Sequence, residues 1–224
     1  MATSNGTGRS AVPELPVARS TAVSAVGALL VVELLAVFAY LRVTGTGVLE
    51  PRYTLYPFVW INVGAWVLLR RPTIPADRSR RLAAGAVAAV YFLVLAVAGG
   101  LLGPGGMEMP ARIAWLSPGW GPALLYTNGW IDLAVLPFEV VGYATLAVLV
   151  YTVVLAGARS AVAGLLGLAT CVGCLWPFGA ALLAALGGVG SPLATAVPGV
   201  AYDLSTALFL ITVGVLYWAA RRAA

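Results

Sequence analysis

The two cysteines of the chain, Cys171 and Cys174, stand three residues apart in the run Thr170-Cys171-Val172-Gly173-Cys174-Leu175-Trp176-Pro177. Three residues is close to one helical turn, so in a helix both sulfurs share a face. Cys-x-x-Cys is the spacing of reversible dithiols and of soft-metal sites. The same face runs through Gly164, Gly167 and Phe178, and glycines there let a second helix approach closely. Pro177 has no N–H to offer the Gly173 carbonyl, which loosens the helix beside the pair. Two readings follow: small apolar side chains at a crowded helix contact, or a redox or soft-metal pair.

The second set of chemically capable residues is acidic. Glu33, Glu139 and Asp203 fall inside apolar segments, and Asp132 precedes Glu139 by seven residues, which would place both on one face of a continuous helix. Carboxylates in such segments are costly and often mark ion or proton paths. Tyr143, four residues after Glu139, is placed to donate to it, and Thr206 follows Asp203 by one turn. With no basic residue deep in any apolar segment, these acids need protons, water or nearby arginines such as Arg52 and Arg42. A third motif, Met107-Glu108-Met109, offers two thioethers of the kind that bind Cu(I), as weak metal candidates.

An intramembrane Cys171-x-x-Cys174 resembles, in general type, the cysteine pairs of the vitamin-K-epoxide-reductase family. A six-span body of this length also resembles the small thiol-reductant carriers of cytochrome c maturation. Both resemblances are confined to that segment and the span count. What they imply is a redox role for Cys171 and Cys174.

The elements that must position these residues follow from composition. The chain has 224 residues, of which 61% are hydrophobic and 9% charged, with mean hydropathy +0.97. A soluble domain carries about 25% charged residues, so lipid is the expected surrounding for most of this chain. The net charge of +5 rests on arginine alone, since lysine is absent. Histidine is absent too, which removes His-ligated haem, His-based zinc or copper sites and Ser-His triads. Without lysine there is no retinal Schiff base. No phosphate-binding loop or dinucleotide fingerprint is present, no cofactor is implied, and nothing supports nucleic-acid binding.

Six segments are apolar and long enough, or nearly so, to span a bilayer: Ser20–Leu41, Tyr53–Leu69, Arg81–Leu101, Trp130–Leu155, Ser160–Leu186 and Val197–Trp218. The second is short and aromatic. With the N-terminus inside, ten arginines fall on inner segments and only Arg42, Arg52 and Arg112 on outer ones. That asymmetry predicts both termini on the cytoplasmic side of the cell membrane. The expected fold is therefore an all-α bundle of six transmembrane helices. A disordered cytoplasmic tail occupies 1–19 and a single membrane domain 20–220. The connection Gly103–Gly129 is expected to be a long outer loop at the headgroup layer. Its prolines 104, 110, 118 and 122 forbid a long helix, and a short helix fits near Ala111–Leu116.

Three functional readings follow, in this order. The first is a non-catalytic accessory or assembly subunit of a larger respiratory or transport complex, whose partners are the bilayer and other membrane subunits. The second is a small transporter or solute-binding component with an outward cavity lined by Glu33, Glu139 and Asp203. The third is a thiol-disulfide or soft-metal handler using Cys171 and Cys174.

Overall fold

The computed structural model describes residues 17–48, 50–156 and 192–223. They form, in chain order, α1 (Val17–Thr44), α2 (Pro51–Arg70), α3 (Arg78–Ala98), β1 (Leu102–Pro104), β2 (Met109–Ala114), β3 (Ala123–Thr127), β4 (Ile131–Val135), α4 (Pro137–Leu155) and α5 (Pro192–Ala223). Four helices are long and apolar enough to cross a membrane: Ser24–Thr44 within α1, α3, α4, and Tyr202–Arg222 within α5. The protein is thus mostly helical, with four candidate spans among the described residues and a small sheet. The fifth expected segment, Ser160–Leu186, lies outside the described residues, as do residues 1–16 of the expected tail.

The chain divides between Gly45 and Thr46 into two compact units. In the first, α1 carries Glu33, and at its end the Thr44 hydroxyl donates to the Tyr40 carbonyl at 2.7 Å. The second unit holds everything else. In it α4 is the central helix, packed by α2, α3 and α5. Trp60 stacks flat on Phe209 at 4.1 Å between ring centroids and meets Phe138 edge-on at 5.7 Å. Leu146, Leu149, Val153, Val213 and Leu216 continue this core away from the sheet, and Tyr91 and Leu95 bring α3 into it. One glycine makes the α2–α4–α5 contact possible: a Cβ on Gly142 would overlap the Trp60 ring.

The antiparallel direction of the helices sorts charge by end. Arg70 and Arg71 close α2, Arg78, Arg80 and Arg81 open α3, and Arg221 and Arg222 close α5. The Tyr217 hydroxyl donates to the Arg70 carbonyl at 3.3 Å, which ties the ends of α5 and α2 together. The sheet stands at the opposite end, between α3 and α4 in the chain.

That sheet corrects the sequence reading of an all-α fold with a long loop. Residues 102–135 form four antiparallel strands in the order β1-β4-β3-β2, and the short helix expected near Ala111–Leu116 is largely strand β2. The prolines that forbid helix are compatible with strand here because Pro104 and Pro110 lie on β1 and β2, the two edges of the sheet. The β3–β4 hairpin turns at Asn128–Gly129. The Asn128 side-chain carbonyl accepts from the Trp130 and Ile131 amides at 2.8 and 2.7 Å, and the Asn128 amide donates to the Ile131 carbonyl at 2.9 Å. The Asn side chain, bonded to backbone two and three residues on, holds the turn in shape.

A second correction follows. The fourth apolar segment, expected from Trp130, becomes helical only at Pro137. Asp132 is therefore on β4, where it accepts from the Thr127 hydroxyl at 2.6 Å, and does not share a helix face with Glu139.

Candidate functional site: the cavity between the sheet and the helix ends

The beginning of α2 is set by Pro51 at its first turn, where a missing N–H costs nothing. A second proline, Pro57, lies inside the helix and is fully buried. It removes the donor that would serve the Tyr53 carbonyl four residues back. The Trp120 indole N–H donates to that same carbonyl at 2.7 Å. Trp120 comes from the β2–β3 connection, which reaches α2 through Gly119. Gly119 has φ +88°, and a Cβ there would come within 2.6 Å of the Pro57 ring. Positive φ and close approach both call for glycine at this position.

Trp120 then meets Phe138 of α4 at 5.0 Å and Tyr202 of α5 at 5.2 Å, edge to face in both cases. One indole thus joins the ends of three helices. Tyr53 and Tyr202 also meet edge to face, at 5.7 Å. Between these rings lies a cavity of about 330 Å³ lined by Glu50, Tyr53, Thr54, Leu116, Ser117, Trp120 and Tyr202. The Thr54 hydroxyl is buried and has no hydrogen-bond partner among the described residues.

Charged groups border the cavity. The Arg52 guanidinium pairs with Glu50 at 3.1 Å and with Asp203 at 3.6 Å, and sits 4.9 Å from the Tyr53 ring centre. The hydrogen bond that Arg52 donates to the Glu50 carboxylate holds the guanidinium above its ordinary range. The Tyr56 hydroxyl donates a short hydrogen bond to the other Asp203 oxygen. Glu139, in the first turn of α4, is within electrostatic reach of Tyr202, and its Oε2 is buried without a hydrogen-bond partner among the described residues.

The residues singled out in the sequence are distributed as follows. Arg52 and Asp203 are brought together, with Glu139 at the same end of the bundle. Tyr143 turns its ring edge-on to Trp60 at 6.1 Å, and a Cβ on Gly99 would overlap its hydroxyl end. Thr206 accepts from the Trp60 indole at 3.2 Å. Glu33 belongs to the α1 unit and Asp132 to the sheet. Glu33, Glu139 and Asp203 are not among the residues lining this cavity, which takes Glu50 instead. Met107 and Met109 are exposed, on the β1–β2 connection and β2. No group of three or more His, Cys, Asp or Glu that could hold a metal occurs among the described residues. Cys171 and Cys174, with their flanking glycines and Pro177, lie outside the described residues.

Sequence reasoning missed Tyr53, Thr54, Ser117, Trp120, Tyr202 and Glu50. The available signal was Pro57, which frees one carbonyl at a known position and calls for an external donor.

The described residues define a mostly helical protein with four helices able to cross a membrane; within the second unit, a small antiparallel sheet stands at one end of the helices beside an aromatic cavity. The chain belongs to the family of unknown function DUF7546, whose model matches residues 3–223. No curated protein and no solved structure matches the chain.

Proposed function

We propose that the protein is a multi-pass protein of the cell membrane, with both termini cytoplasmic, that binds a small solute at its outer end as a transporter or a solute-binding component. The observation that carries this reading is the cavity framed by Tyr53, Trp120 and Tyr202, with Glu50, Thr54 and Ser117 also on its wall. A volume of about 330 Å³ is at the lower end of the range of roughly 300–1,000 Å³ typical of small-molecule sites. Aromatic walls with a few polar groups are also typical of such sites. Orientation is supported by the arginines gathered at the end away from the sheet, as the positive-inside rule requires.

The test is native mass spectrometry of the full-length protein, extracted gently from its own membrane. A small-molecule adduct is expected on the wild-type protein and is lost in a folded Tyr202→Leu variant. A wild-type protein free of adducts, together with wild-type-like uptake by Tyr202→Leu cells of every solute the wild type takes up, contradicts the reading.

One observation favours the accessory-subunit reading as well. Edge strand β2 is exposed along most of its length, and Ile113, Trp115, Trp130 and Ile131 are exposed on or beside the sheet. An open, apolar sheet edge is a place where another chain can add. Photo-crosslinking from position 113 distinguishes the cases: a discrete protein adduct supports a partner subunit, and lipid adducts alone count against one.

A further inference from the structure

The cavity's own chemistry narrows what it takes. We infer that it is an aromatic cage for a quaternary ammonium group, an inference that rests on the solute-binding reading above.

Three rings line one cavity at steep mutual angles: Tyr53 and Tyr202 at 67°, Trp120 and Tyr202 at 78°. Each π face is electronegative, and several faces around one space are how proteins recognise quaternary ammonium groups. The Tyr53 ring already takes a cation, the Arg52 guanidinium at 4.9 Å.

The surrounding charge has the matching sign. Glu50 lines the cavity, and the Glu50 and Asp203 carboxylates flank the Arg52 guanidinium, so negative charge outnumbers positive at its border. An acid-rich, low-dielectric cleft concentrates cations.

The sparse polar lining selects the kind of cation. A metal ion needs about six oxygen ligands, and a primary ammonium has three N–H donors to satisfy. The lining side chains offer Glu50, already paired with Arg52, and the Thr54 and Ser117 hydroxyls, apart from the Tyr53 and Tyr202 phenols and the Trp120 N–H that is bonded to Tyr53. A quaternary ammonium, fully methylated as in choline, carries charge without N–H groups, so burying it leaves no donor unpaired. The Ser117 hydroxyl, which donates to the Gly47 carbonyl at 3.3 Å, can still accept from a polar group on the rest of the molecule. The ammonium can belong to a free solute or to a choline lipid headgroup.

The experiment is isothermal titration of the full-length protein in a maltoside detergent. The probes are choline, its neutral isostere 3,3-dimethylbutan-1-ol, and monomeric dihexanoyl lipids with choline or glycerol headgroups. Choline is expected to bind at least about tenfold more tightly than the isostere, since only the charged probe gains the cation–π attraction. Tyr202→Phe, which keeps the ring, should retain this preference, and Tyr202→Leu should lose it. A choline lipid that outcompetes choline assigns the site to a headgroup, and the reverse assigns it to a free solute; both support the inference. Equal binding of choline and isostere overturns the cage and leaves solute binding intact. Binding of neither also overturns the cage, and solute binding is then judged by the adduct measurement.

Discussion

The Trp120 indole N–H donates at 2.7 Å to the Tyr53 carbonyl, the carbonyl that Pro57 leaves without a helical donor. A vacancy in one helix's hydrogen-bond ladder is thereby filled by a side chain from the sheet region. The bond fixes the β2–β3 connection against α2 and closes one wall of the cavity.

If this compensation holds, the cost of losing the indole N–H depends on Pro57. Trp120→Phe keeps the ring and removes the donor, and should cost about 1–3 kcal/mol, as expected for a buried acceptor left unpaired. In a Pro57→Ala background residue 57 can serve the Tyr53 carbonyl itself, so the same change should cost less. Denaturant unfolding of the four proteins in detergent measures the coupling, expected at about 0.5 kcal/mol or more. Equal costs in both backgrounds would mean that the indole and the proline are independent.

Gly142 is where α4 accepts the Trp60 ring. Gly142→Ala should destabilise by about 1–3 kcal/mol, because the ring is stacked on Phe209 and has no free space to move into. Gly85 on α3 is the control: a Cβ there meets nothing within 4 Å. Gly85→Ala should be neutral or stabilising by up to about 1 kcal/mol. Thermal unfolding of the two variants tests the contrast.

Asp203 receives the Tyr56 hydroxyl on one oxygen and faces Arg52 with the other. The ion pair is about 44% exposed on both sides, so Arg52→Gln should leave stability nearly unchanged. Asp203→Asn keeps an acceptor for Tyr56. Asp203→Leu does not, and should cost about 1–3 kcal/mol. A larger loss in Arg52→Gln than in Asp203→Leu would reverse the assigned importance of the two contacts.

Orientation is testable with single cysteines in a Cys171→Ser, Cys174→Ser background. Asn128→Cys, at the β3–β4 turn, should react with a membrane-impermeant maleimide on intact cells. Thr73→Cys, between the arginine clusters of α2 and α3, should react only after permeabilisation. The opposite pattern would place the sheet in the cytoplasm.

The helices were legible because long apolar runs with charged ends have few alternatives; α3 runs from Arg78 to Ala98 against an expected Arg81–Leu101. The sheet was not, because its prolines argued against helix and were taken as marks of a loop. The Asn128–Gly129 pair between short β-compatible runs was the overlooked signal, and with it Asp132 would have been read as strand. Arg52 and Asp203 were both picked out as candidates for their charge. Trp120 carries no local signal of its role, because that role depends on a carbonyl 67 residues earlier in the chain. The cavity is a tertiary product of α2, α5 and the β2–β3 connection, which local spacing does not encode.

The central claim, an outward cavity that favours a quaternary ammonium, is tested most directly at Thr54, one of the residues that line it. Thr54→Cys in the Cys171→Ser, Cys174→Ser background is exposed on intact cells to two methanethiosulfonates, one carrying trimethylammonium and one carrying sulfonate. The account predicts modification from outside, about tenfold or more faster with the cation than with the anion, and slowed by choline. Equal rates, a faster anion, or modification only after permeabilisation would contradict it.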